Sequence, residues 1–255
     1  MARSTHGQSG GTGGGTPSST ATDHRTLAIL LGSVAVTLLL YFVIPYGQTI
    51  ARPLVLLSTL VHELGHGIAA ALTGGEFVEF RMWWDGSGVA VHRSSGGRFA
   101  RAFISAAGLV GPALMAAVGL WLGRKPVRAQ RTLMVFGVLL LLTLAWVVRG
   151  AFGMIFVAAL AALLLFIGAR GTPRAAQVTL LFVASQLALA VFSRADYLFT
   201  PTARTGAGLM PSDVGQMADA LFLPYWFWGA VCAVVSLGLL GLGLRLFFKS
   251  APRSS

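Results

Sequence analysis

Two histidines stand four residues apart in the run His62-Glu63-Leu64-Gly65-His66. On a helix of 3.6 residues per turn, positions i and i+4 share a face, so both imidazoles can reach one metal ion. The pattern suits zinc, and Glu63 lies beside the pair, where a carboxylate can take a proton from water. The run sits inside an apolar stretch of about 53–72. Polar side chains at membrane depth are costly, and three together mark a working site.

Two histidines leave a catalytic zinc short of its usual third protein ligand. His6 and His24 fall in a Gly/Ser/Thr-rich head, and His92 lies beyond a strand-like stretch. The single cysteine, Cys232, excludes a cysteine-based site and an intrachain disulfide. The chain has eight acidic residues. Asp23 is in the head, Glu63 is the candidate base, and Glu76, Glu79 and Asp85 belong to the strand-like stretch. Asp196, Asp213 and Asp219 remain. Asp196 closes an apolar run beside Arg194, which could pair with it. Asp213 follows Pro211-Ser212 and could either face the metal or cap a short helix running toward Leu223. Asp219 falls on the opposite face of such a helix and reads as a solvated charge.

The elements that must position these residues are membrane helices. Of 255 residues, 55% are apolar and 11% charged, and mean hydropathy is +0.76. That is membrane composition. The formal charge of +11 sits mostly in short loops between apolar runs, where headgroups and the positive-inside effect account for it. No basic face with interleaved aromatics is present, which excludes a nucleic-acid partner.

Residues 1–24 read as a disordered tail, 25–249 as the membrane domain and 250–255 as a short tail. Apolar runs at about 27–44, 53–72, 103–122, 132–148, 152–167, 176–192 and 225–248 predict an all-α polytopic membrane protein with about seven transmembrane helices. After the HExxH helix, alternating aromatic and β-branched residues flank Asp85-Gly86-Ser87-Gly88 and predict a short interfacial β-hairpin at about 77–92. Gly65, Gly67 and nearby alanines would let a neighbouring helix approach closely. Residues 197–223 read as a polar interruption. The basic loop 124–131 and Lys249 should share one side of the membrane.

HExxH in an early span, the run HELGHGIAAALTGGEF (62–77), the Asp-Gly-Ser-Gly-Val stretch, Gly111-Pro112 in a later span and a late Ser-Asp form a distinctive set. It resembles the site-2-protease-like intramembrane zinc metallopeptidases, and most closely their compact bacterial peptidase-family-50B-like branch. The resemblance implies a multi-pass zinc metalloendopeptidase of the cell membrane, acting on a membrane protein or peptide in contact with the lipid bilayer. It also implies zinc held by His62, His66 and a later Asp, with Glu63 as general base. The family's Leu-Asp-Gly ligand motif is similar to Leu209-Met210-Pro211-Ser212-Asp213, which favours Asp213, with Asp196 as the alternative. The family's Asn shortly after Gly-Pro is replaced by Ala113, Leu114 and Met115. That departure supports an alternative reading, a non-proteolytic metal-binding scaffold or binding protein of the same family. An edge of the hairpin is expected to pair with an extended substrate. Substrate-binding residues and the oligomeric state do not follow from the sequence.

Overall fold

The computed structural model describes residues 19–249 except 95 and 194; for 19–23, 25, 193, 195 and 196 it describes the backbone alone. The chain runs α1 (Ser19–Phe42), α2 (Gly47–Ile50), α3 (Arg52–Leu72), β1 (Glu76–Met82), β2 (Gly88–Arg93) and α4 (Arg98–Gly123). It continues through α5 (Pro126–Trp146), α6 (Ala151–Arg170), α7 (Pro173–Ser193) and a 3-10 turn at Ala195–Phe199. The last elements are β3 (Thr202–Thr205), β4 (Gly208–Pro211), α8 (Asp213–Leu221) and α9 (Tyr225–Phe248).

Six helices among the described residues, α3 to α7 and α9, are long and apolar enough to cross a bilayer. The expected seventh run forms α1, whose apolar part, Thr26–Phe42, is shorter. Pro45 lies just past its end, where the chain has already turned. At the other end α1 starts at Ser19, upstream of the boundary placed at residue 25. No Gly or Pro follows Pro17 until Gly32, so nothing in the sequence stops the helix from propagating backward.

Helix α4 is the centre of the bundle and packs on α3, α7, α8 and α9. Small residues permit this. A Cβ on Gly65 would lie 2.5 Å from Ala107 O, and one on Gly243 would lie 2.6 Å from Ala117 Cα, so α3 and α9 touch the α4 backbone. Long polar side chains then tie helix ends and neighbours. Gln177 donates to Gly123 O at the end of α4, and Gln186 donates to Thr37 Oγ1, joining α7 to α1. Arg124 donates to the carbonyl of Lys249, so the basic loop and the C-terminal end of α9 do share a side.

The first hairpin pairs β1 with β2 from Glu76↔Arg93 to Met82↔Gly88, with a bulge between Phe77 and Glu79. Its turn is closed by Trp83 N–H to Ser87 O at 3.0 Å, with Gly86 at φ +92°. Asp85 accepts from both Ser87 N–H and Ser87 Oγ, and these bonds hold its carboxyl below the usual range. The hairpin is less peripheral than expected. Phe80 and Met82 are buried with Leu56, Leu60, Val148 and Val157, wedging β1 between helices. The outer edge of β1 is engaged as well: Phe80 N–H donates to Val147 O and Arg149 N–H to Phe80 O, each at 2.8 Å. Alternate β1 side chains are large and apolar, and a strand with such a face is driven inward.

The polar interruption contains a second hairpin that the sequence reading does not anticipate. Strands β3 and β4 pair from Thr202↔Pro211 to Thr205↔Gly208, with Gly208 at φ +117° in the turn.

Candidate metal centre

Helix α3 carries His62, Glu63 and His66 past the first hairpin on one side and α4 on the other. His66 is buried, and its Nδ1 lies 2.8 Å from Ile104 O of α4. A carbonyl only accepts, so Nδ1 carries the proton and Nε2 keeps its lone pair for the site. Gly108, one turn further along α4, makes room for this ring: a Cβ there would lie 2.2 Å from His66 Cε1 and 2.3 Å from Nε2. The His62 ring stands edge-on to His66, with centroids 4.7 Å apart.

Asp213 opens α8 and is 4% exposed. Its carboxylate faces the histidines, with Oδ2 3.1 Å from His62 Nε2 and Oδ1 3.2 Å from His66 Nε2. The sequence leaves open whether Asp213 would instead cap α8. Ser212 performs that task, its Oγ accepting from Gly215 N–H at 3.1 Å. Ser212 also donates through Oγ to Thr200 O, and its N–H donates to Pro201 O. With the cap supplied by its neighbour, the Asp213 side chain is free to turn inward.

Loss of the cap hydroxyl in Ser212→Ala is expected to loosen Asp213 and cost about 1 kcal/mol of stability. Affinity for zinc should fall about 10- to 100-fold, as for other groups that support a ligand. A competing chelator titration reads the loss, and Ser212→Thr should restore most of it.

The donor set fits a metal ion. One donor atom from each of His62, His66 and Asp213 lies within 4.8 Å of the others. The two Nε2 atoms are 3.1 Å apart, close to the roughly 3.3 Å edge of a tetrahedron with ~2.0–2.1 Å bonds. Asp213 Oδ2 is buried with no hydrogen-bond partner, even though His62 Nε2 lies near it. The Nε2 lone pair of His66 and an orphaned carboxylate oxygen face one another at such distances, an arrangement that a cation among them would satisfy.

Glu63 sits on the adjacent face of α3, 6% exposed, with Oε2 accepting from Ala90 N–H at 2.7 Å. Phe80 and Ala90 are register partners, and both turn their N–H groups away from the hairpin, Phe80 to Val147 O and Ala90 to Glu63. Thr59 Oγ1 donates to Gly86 O at 2.6 Å and fixes the turn against α3. A Cβ on Gly88 would lie 2.7 Å from Thr59 Cγ2 and 2.9 Å from Glu63 Cγ. Gly88→Ala should therefore displace the Glu63 carboxylate while leaving the metal ligands in place. With Glu63 as the base that the family resemblance implies, turnover would fall about 100-fold at unchanged metal content, since misplacement of a reacting group by about 1 Å costs that much.

Asp219 is exposed, as the helical spacing predicts. The side chain of Asp196 lies outside the described residues. His92 is nearer the site than its place beyond the turn suggests. Its Nδ1 is buried without a hydrogen-bond partner among the described residues, burial lowers its pKa, and it lies within electrostatic reach of His66, Asp213 and Glu63. A cleft of about 350 Å³ opens beside His62 and Glu63, lined also by Ser87 and Gly88 of the first hairpin, Tyr197, and Arg204 of the second. A larger cavity of about 1140 Å³ lies along α3 beside Leu57, Leu64 and Ile68. It is lined by apolar helix faces and by Glu76, Phe77 and Val78 of β1 and reaches neither histidine nor Glu63, so the smaller cleft is the one that bears on chemistry.

No curated protein and no solved structure matches the chain. A family model does match: residues 32–243 align with the one described as Peptidase M50B-like. Spanning most of the sequence and all four residues of the centre, that match shows that the chain belongs to the Peptidase M50B-like family, membrane metallopeptidases of the site-2-protease type.

Proposed function

We propose that the protein is a zinc endopeptidase of the cell membrane that hydrolyses peptide bonds within or beside the bilayer, with Glu63 as general base. The observation that carries this reading is the meeting of Asp213 with His62 and His66, beside a carboxylate held on the next face of the same helix. His62, His66 and Asp213 would hold the zinc ion, whose contribution is to polarise the scissile carbonyl and lower the pKa of water.

The chain's own residues supply the proton path. Ala90 N–H holds Glu63 Oε2, which leaves Oε1, beside Gly88, to accept the proton of the attacking water. As the C–N bond breaks, Glu63 returns that proton to the leaving amine and is regenerated. Ile104 O keeps His66 in the tautomer that presents Nε2.

A helical substrate hides its amides and must be extended before it reaches Glu63. The outer edge of β1 is already engaged at Phe80 by Val147 and Arg149. On the β2 side Ala90 N–H is likewise taken by Glu63, so the extended substrate is proposed to lie along the cleft beside Gly88 rather than to pair at either of those positions. A scaffold that binds metal without cleaving remains the second reading, on the strength of Ala113 to Met115 in place of the family's amide.

In purified protein reconstituted with a membrane-spanning peptide, a zinc chelator should abolish cleavage, and added zinc should restore it. Cleavage that survives metal removal contradicts the proposal. Stoichiometric zinc with no cleavage of any peptide favours the scaffold.

A further inference from the structure

The second hairpin is tied at both ends to the site. At its base, Ser212 N–H donates to Pro201 O and Ser212 Oγ to Thr200 O, immediately before Asp213. At its tip, Gly206 N–H donates to Ser87 Oγ at 3.0 Å. Gly206 also lies against the Trp83 ring, where a Cβ would be 2.3 Å from Cδ2. The two hairpin tips therefore meet across the cleft, and β3 is held along it.

Arg204 stands between these anchors, exposed, and lines the cleft with His62 and Glu63. The ion pairs among the described residues leave it out. Besides Arg204, the cleft lining holds one residue of fixed charge, Glu63, and that carboxylate is engaged by Ala90 N–H. A guanidinium without a carboxylate partner among the described residues, carried by a strand that lines the cleft together with His62 and Glu63, is complementary to a planar anion. Arginine binds a carboxylate through two parallel charge-assisted hydrogen bonds, which gives direction as well as affinity.

We infer that Arg204 is a specificity determinant that receives a substrate carboxylate close to the scissile bond, either an Asp or Glu side chain or the peptide's C-terminal carboxylate. This rests on the proteolytic reading and adds a substrate class to it. A cationic residue at the same subsite would be rejected by like charge.

The test uses full-length protein, in detergent and in vesicles of graded phosphatidylglycerol content, and quenched fluorescent peptides that place Glu, Gln or Lys at each position flanking the cleaved bond. Each peptide is made with a free and an amidated C-terminus. Wild type should prefer Glu over Gln at one position, or the free over the amidated terminus, by about 10- to 100-fold in kcat/KM, the range for a hydrogen-bonded charge. Whichever pair shows the preference identifies the source of the carboxylate. Arg204→Gln should erase that preference while neutral peptides are still cleaved, and Arg204→Glu should favour Lys at that position. The assignment is overturned if Arg204→Gln slows every peptide equally, or if the preference survives it. It is also overturned if the effect follows the phosphatidylglycerol content of vesicles rather than peptide charge. In each of these cases cleavage of neutral peptides by wild type leaves the proteolytic reading standing. If wild type cleaves no peptide, both are lost.

Discussion

Glu63→Gln is expected to lower peptide hydrolysis by about 10²- to 10⁴-fold, the range supplied by a positioned general base. Glutamine keeps the length and the carbonyl that accepts from Ala90 N–H, so the hairpin contact survives. What it lacks is a second oxygen able to take a proton. The variant should fold, bind zinc as wild type does, and retain affinity for substrate, with the loss confined to kcat. Single-turnover kinetics and metal content, measured on the same preparation, separate this outcome from a structural defect. Wild-type turnover in Glu63→Gln would remove Glu63 from the chemistry.

Changes at Asp213 should be as severe but arise differently. Asp213→Ala removes a buried carboxylate that faces both imidazoles and leaves the two Nε2 atoms 3.1 Å apart with no counter-charge. A metal held by His62, His66 and Asp213 would couple two helices, α3 and α8, that are far apart in sequence, so loss of a ligand should loosen their junction as well. Asp213→Asn keeps one neutral oxygen donor and should be partly rescued at high zinc. No zinc concentration should rescue Glu63→Gln. Activity titrated against free zinc distinguishes the two cases.

The parts of this site that lie within one turn of helix were legible in the sequence. His62, Glu63 and His66 follow from the 3.6-residue period, and the hairpin from alternation around Asp85-Gly86-Ser87-Gly88. Asp213 was narrowed by the scarcity of acids but not separated from capping, because Ser212 and Asp213 are both good cap residues. Only tertiary packing decides which side chain turns to the helix and which to the histidines. The supports of the centre were not legible. Ala90 acts through its N–H, Ile104 through its carbonyl, and Gly88 and Gly108 through the side chain each lacks. Backbone groups carry no residue-specific signal. The second hairpin leaves no periodic signal because its strands have four residues each, too short for a period to emerge from Thr202–Thr205. The nearness of His92 to the site leaves no mark in the sequence, because distance along a hairpin says little about distance to the helix it packs on.

Zinc content per mole of purified wild-type protein, measured beside Asp213→Ala and Asp196→Ala, tests the metal centre most directly. About one equivalent is expected in wild type and in Asp196→Ala, with loss of that zinc in Asp213→Ala. Zinc-free wild type, or loss of zinc from Asp196→Ala with retention in Asp213→Ala, would contradict it.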